Sequence, residues 1–256
     1  MKLGVLQGRL SPPVGGHYQE FPKDWNTEVD ALHTLGLKGV EWLITKNRFL
    51  DNPLINSDLS GIPILSVCFD NLVDEKIDDY NFLKDNLEPV CEAMLKLGVK
   101  NATIPILDES DLSNSNKRRS FCEIMEPYGD IYPDINFCFE AEIPPEKLCE
   151  IVNLKDNFYV TYDTGNITSS GINHESYIEF FKEKILNVHI KDRTFDRKTV
   201  APTTGDTPFD LIFKKLKEID YNGFYILQTA RGISGKETET IEEHKRLIEK
   251  LHDRYF

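Results

Sequence analysis

Ile185-Leu186-Asn187-Val188-His189-Ile190-Lys191-Asp192-Arg193 is a short apolar run that turns polar at its end. It is too short for an isolated helix, and its near-continuous apolar character is that of a parallel strand covered on both faces. An amphipathic stretch precedes it at Ser176–Lys184 and another follows at Pro208–Ile219. The same alternation runs through the chain. Strands are expected at Leu3–Gln7, Gly39–Ile44, Ile64–Phe69, Asn101–Ile106, Ile135–Glu142, Phe158–Asp163, Ile185–Lys191 and Gly223–Gln228. Helices are expected between them at Asn26–Leu35 with Asn26 as cap, at Asp78–Leu97 with Pro89 inside, and more weakly at Asp111–Tyr128. Pro144–Asn153, Ser176–Lys184, Pro208–Ile219 and Lys236–Arg254 complete the series. The polar stretch 108–119 reads as a surface loop or a frayed helix. Gly36, Gly98 and Gly223 fall where a helix turns back into a strand.

Strand ends recur roughly every 32 residues, the size of a βα unit. Eight such units fill residues 1–256 and leave no linker, which predicts a single α/β domain, one (β/α)8 TIM barrel. A doubly wound open sheet is the alternative, but no G-x-G-x-x-G follows the first strand.

The 256 residues carry 43 acidic and 30 basic side chains, a net charge of −13. That disfavours a surface built to coat nucleic acid. No apolar run approaches the length of a membrane span, and the N-terminus turns polar too soon for a signal peptide. Five cysteines without a C-x-x-C suggest neither a disulfide framework nor a zinc ribbon. The expected compartment is the reducing cytoplasm.

Chemistry in such a barrel sits where strands end. The last four strands end on Glu140, Asp163, His189 and Gln228, so carboxylate, imidazole and amide converge on one mouth. Carboxylates with an imidazole suit a divalent metal. They suit equally a metal-free polar or sugar-binding site. Alternation puts Glu142 on the face of Glu140, and Lys191 and Arg193 on the face of His189. Gln7 and Arg9 share a face after the first strand, and Glu41 interrupts the apolar second strand. Arg9, Lys191, Arg193 and Arg231 ring the mouth, which points to an anionic substrate. A barrel phosphate site would fall at Arg193, Gly205 and Arg231-Gly232.

The run Leu6-Gln7-Gly8-Arg9-Leu10-Ser11-Pro12-Pro13, with Tyr162-Asp163-Thr164-Gly165-Asn166, Val188-His189-Ile190-Lys191-Asp192-Arg193 and Ile226-Leu227-Gln228-Thr229-Ala230-Arg231-Gly232, resembles the xylose isomerase-like TIM barrels, in the branch of sugar phosphate isomerases and epimerases. The resemblance implies one divalent ion (Mn, Co, Mg or Zn) held by Glu140, Asp163 and His189. Gln228 stands where that family has a second Glu. A Gln oxygen is a neutral, weaker ligand and cannot abstract a proton. The implied function is a sugar or sugar-phosphate isomerase or epimerase working through a metal-stabilised enediolate. Glu140 or Glu142 would be the base and Lys191 a second proton-transfer group. Gln7, Arg9, His17, Glu41, Asn166, Arg193 and Arg231 are the candidate substrate contacts. The alternatives are a non-catalytic or metal-free sugar-binding barrel, a lyase, or an apurinic-endonuclease-like hydrolase. The last is disfavoured by only six histidines and by the acidic charge. The expected partner is a small sugar, with no nucleic acid or membrane and with a homodimer in keeping with the family.

Overall fold

The structure is a computed structural model that describes residues 1–14, 21–47, 49–57 and 59–256. Eight parallel strands close a barrel: β1 Lys2–Leu6, β2 Val40–Leu43, β3 Ile64–Cys68, β4 Asn101–Ile106, β5 Asn136–Ala141, β6 Phe158–Asp163, β7 Ile185–Ile190 and β10 Phe224–Leu227. They pair in chain order, and β10 closes on β1 with Val5 opposite Leu227. Two short strands, β8 Asp192–Arg193 and β9 Thr199–Val200, form an antiparallel hairpin directly after β7. The helices are α1 Trp25–Leu35, α2 Pro53–Asn56, α3 Tyr80–Leu97, α4 Ser115–Ile131, α5 Pro145–Val152, α6 Thr164–Ser169, α7 His174–Phe181, α8 Phe209–Glu218 and α9 Glu237–His252. The expected (β/α)8 TIM barrel is the observed fold. Among the described residues no helix is long and apolar enough to cross a membrane.

Several local expectations are corrected. Asn26 lies inside α1, whose N-cap position is Asp24, so it caps nothing. Residues 115–119 are ordered helix, because the Asn114 side chain accepts the backbone N–H groups of Asn116 and Lys117 and starts α4 firmly. Gly36 and Gly98 do end helices in the left-handed region, at φ 64° and 71°. Gly223 serves another purpose. The left-handed residue after α8 is Asp220, at φ 53°. A Cβ on Gly223 would lie 2.4 Å from the Tyr221 hydroxyl and 2.6 Å from the Leu186 carbonyl, so close strand approach requires glycine there.

The barrel interior holds both apolar and polar side chains. Leu6, Leu43, Cys68 and Ile226, from β1, β2, β3 and β10, form a small apolar cluster. The facing strands β5, β6 and β7 contribute Glu140, Thr161, Asp163, Asn187 and His189, all buried. Buried polar groups need partners, and the pairing of these groups with one another defines the site.

Candidate active site

The centre is built at the ends of β5, β6 and β7. His189 has no exposed surface. Its Nε2 lies 2.8 Å from Glu41 Oε1, and its Nδ1 lies 3.3 Å from Glu140 Oε2 and 3.9 Å from Asp163 Oδ2. That Nδ1 is buried without a hydrogen-bond partner. Glu140, Asp163 and His189 each offer one ligand atom within 4.8 Å of the others. An imidazole nitrogen left bare between two carboxylates is what a divalent ion would satisfy, so the donor set fits a metal.

α6 starts immediately after β6 because Asp163 caps it. Asp163 Oδ1 accepts the Asn166 N–H at 2.8 Å. This turn brings Asn166 back over the cluster, where Nδ2 donates to Glu140 Oε1 at 2.6 Å and Oδ1 accepts from Lys191 Nζ at 3.3 Å. Lys191 also lies 2.9 Å from Asp163 Oδ2. Its stem passes over Gly165, where a Cβ would come within 2.7 Å of Lys191 Cγ. The Tyr162-Asp163-Thr164-Gly165-Asn166 run thus supplies a candidate ligand, a helix cap, the space for a lysine and an orienting amide.

A cavity of 130 Å³ opens above the centre and is lined by Glu140, Lys191, Arg193 and Gln228 together with Cys68, Asp70 and Asp108. Cys68, Asp70 and Asp108 were missed in the sequence. Asp70 and Asp108 follow the ends of β3 and β4, so the rule used on the last four strands would have found them. Burial, and then the Glu41, Asp70 and Glu140 charges, push the Cys68 thiol well above its ordinary range. It is therefore no nucleophile at neutral pH.

Among the described residues, the other predicted contacts are tied to partners within the protein, Arg193 at the cavity wall among them. Glu41 is fully buried beneath His189, because β2 carries it inward below the mouth. Gln7 Oε1 accepts the Leu43 N–H at 3.0 Å and extends the β1–β2 ladder. Arg9 is buried, and its Nε donates to the Thr229 carbonyl at 3.1 Å, while Arg231 Nη1 donates to the Ser11 carbonyl at 3.2 Å. These two arginines clasp the loops after β1 and β10 to each other. His17 lies outside the described residues. Arg193 Nη1 lies 3.1 Å from Glu142 Oε1, and Arg197 from the hairpin takes the second Glu142 oxygen. Gly205 N–H donates to Asp192 Oδ2 at 2.9 Å, so the expected phosphate loop is already closed on an aspartate.

Burial opposes charge on His189, but Glu41 and Glu140 outweigh it and raise the imidazole pKa to about 10. Burial likewise opposes ionisation of Asp163, and Lys191, His189 and Arg193 together hold it below the usual carboxylate range. Glu142 is raised by burial despite its two arginines. In the metal-free protein the raised His189 contributes its full stabilisation below pH 6.5 and loses it as pH climbs toward 10. Urea midpoints of metal-free protein should therefore fall between pH 6.5 and 10, and His189→Gln should flatten that slope.

The family model described as xylose isomerase-like TIM barrel matches residues 132–251, the segment that carries Glu140, Asp163, His189 and Gln228. Among curated proteins none matches the chain. Among solved structures, the IOLI protein with a bound zinc atom superposes with a TM-score of 0.77 at 21% identity, covering 100% of this chain and 99% of that one. A D-tagatose 3-epimerase-like protein gives 0.69 at 17% identity, covering 98% and 99%. The 3-keto-D-glucoside 4-epimerase YcjR from E. coli, in its apo form, gives 0.70 at 17% identity, also covering 98% and 99%. At these identities the likeness is one of fold. The match over residues 132–251 and the shared barrel fold agree with the resemblance to the xylose isomerase-like TIM barrels read from the strand ends.

Proposed function

We propose that this protein is a divalent-metal-dependent sugar isomerase or epimerase. The observation that carries the reading is the bare, buried His189 Nδ1 facing Glu140 and Asp163, with a cavity beside them lined by Glu140, Lys191, Arg193 and Gln228. Solved structures of similar fold include one with a bound zinc atom and several sugar epimerases, which supports it. When bound, a divalent ion held by Glu140, Asp163 and His189, with Gln228 as a neutral fourth ligand, supplies Lewis-acid polarisation of a carbonyl and its neighbouring hydroxyl.

Glu140 takes the proton from the carbon beside the carbonyl. Asn166 fixes the plane of that carboxylate by its hydrogen bond to Oε1. Lys191 lines the same cavity and serves as the second proton-transfer group. Glu142, with an arginine on each oxygen, holds Arg193 against the cavity instead of acting as base. Gln228 cannot carry the proton that a second glutamate would, so a single base returning it to the neighbouring carbon is favoured. That is isomerisation over two-carboxylate epimerisation. The substrate is a monosaccharide or a derivative. Each rim cation already has a protein partner, which favours an uncharged sugar over a phosphorylated one.

One observation favours a second reading. The Lys191 ammonium sits 2.9 Å from Asp163 Oδ2, a cation beside a ligand oxygen, as a metal-free acid–base or sugar-binding site would have it. Aldoses and ketoses incubated in D2O with Mn, Co, Mg or Zn separate the two readings. The proposal expects metal-dependent loss of the C–H signal beside the carbonyl. Exchange without metal, or sugar binding without any exchange, supports the second. Gln228→Glu should tighten divalent-ion binding by roughly tenfold or more in calorimetry, because it adds a charged ligand to a low-dielectric site.

A further inference from the structure

We propose that Glu41, enclosed at the centre of the barrel, is the positioning residue that selects which imidazole nitrogen of His189 faces the metal cluster. The inference rests on the metal reading of Glu140, Asp163 and His189. Glu41 Oε2 collects three donors from three other strands: Ser66 Oγ at 2.6 Å, Thr103 Oγ1 at 3.1 Å and Asn187 Nδ2 at 2.9 Å. They fix the plane of a carboxylate that has no exposed surface. Oε1 is left for one partner, the ion-pair contact with His189 Nε2 at 2.8 Å, which is short but not a well-aligned hydrogen bond. A carboxylate oxygen only accepts, so Nε2 carries the hydrogen and the lone pair of a neutral ring resides on Nδ1. Nδ1 is the nitrogen that points at Glu140 and Asp163.

The opposite tautomer is available in the same cage. Asn187 Nδ2 lies 3.2 Å from His189 Nε2 and could donate to it, and Nδ1–H could then donate to Glu140. That arrangement covers the metal-facing lone pair with a proton. Glu41 excludes it by claiming the Nε2 hydrogen. Glu41→Gln should reverse the choice with almost no change of shape. Asn187 Nδ2 can only donate and so requires the amide oxygen at the Oε2 position, with the two hydroxyls donating to it as before, and the new NH2 group then points at Nε2 and forces it to accept. An amide in place of the acid that orients a catalytic histidine is known to fix the wrong tautomer in this way.

The test uses Zn2+ alone as probe, with calorimetry and 15N–1H correlation spectra of the imidazoles. Zinc-loaded wild type should show a proton on His189 Nε2 and a metal-shifted Nδ1. E41Q should bind zinc about 10- to 100-fold more weakly, the range for losing an outer-shell partner, and should show the proton on Nδ1. Ser66→Ala removes one donor from Oε2 and leaves the choice intact, so it should keep zinc affinity within about threefold, well short of that range. Equal zinc affinity in E41Q and wild type overturns the proposal, as does an equal loss in Ser66→Ala. If E41Q does not fold, wild type decides alone, since zinc on Nε2 with the proton on Nδ1 overturns it. Wild type that takes up no zinc removes the metal reading itself, and with it this inference.

Discussion

Glu140→Gln is expected to abolish turnover while the barrel stays folded, with kcat lower by roughly three orders of magnitude, within the range for loss of a general base. The amide keeps the shape of the side chain and can still pair with Asn166, whose Nδ2 lies 2.6 Å from Oε1. It loses the charge that faces His189 Nδ1 and the capacity to take a proton. Fold and activity therefore separate in this variant. Turnover on any sugar that shows metal-dependent exchange, measured beside the thermal midpoint, checks the expectation. Wild-type turnover in Glu140→Gln would remove Glu140 from the role of base.

Asp163→Ala is expected to cost the most stability of any single change in the site. Asp163 is buried, caps α6 through Oδ1 and pairs with buried Lys191 through Oδ2. Removing it strands an ammonium whose remaining side-chain partner there is the Asn166 carbonyl oxygen. Breaking a buried pair from one side costs about 3–5 kcal/mol, and loss of a cap adds about 1 kcal/mol. Lys191→Met in the same background should recover much of that loss, because it removes the stranded charge. Urea denaturation of the two variants and the double mutant checks this. Independent, additive losses would mean that the two residues are not coupled as the structure has them.

The barrel was legible because its strands are buried on both faces and read as short apolar runs. Asn101–Ile106 and Phe158–Asp163 were read to the residue. The seventh strand ends one residue before the expected Lys191, and the eighth is one residue shorter than expected at each end, with Lys191 and Gln228 lining the cavity. The candidate trio Glu140, Asp163 and His189 is visible because charged residues interrupt apolar runs at equivalent ends. The hairpin after β7 is not, because two-residue strands carry no periodicity. α6 was hidden by a threonine and a glycine in its first turn and forms because Asp163 caps it. Glu41 was picked out as an acid in an apolar strand, but its depth depends on barrel closure. Only the register that brings Glu41, Ser66, Thr103 and Asn187 together shows that it faces His189 and not the mouth.

The four rim cations carry internal contacts that their order along the chain does not show. Read along the chain they suggest a pocket for an anion. In the fold, Arg9 and Arg231 hold backbone carbonyls, Lys191 holds Asp163, and Arg193 holds Glu142. Each charge answers an internal acceptor, so position at a strand end does not by itself make a substrate contact.

The proposed metal centre is tested most directly by elemental analysis of protein purified without a metal-binding tag or chelator, beside Glu140→Gln and His189→Ala. The account predicts about one divalent ion per chain in wild type, as one site of three protein ligands would hold, and loss of that ion in both variants. No ion in wild type, even after Mn, Co, Mg or Zn is supplied, or an ion retained in both variants, would contradict it.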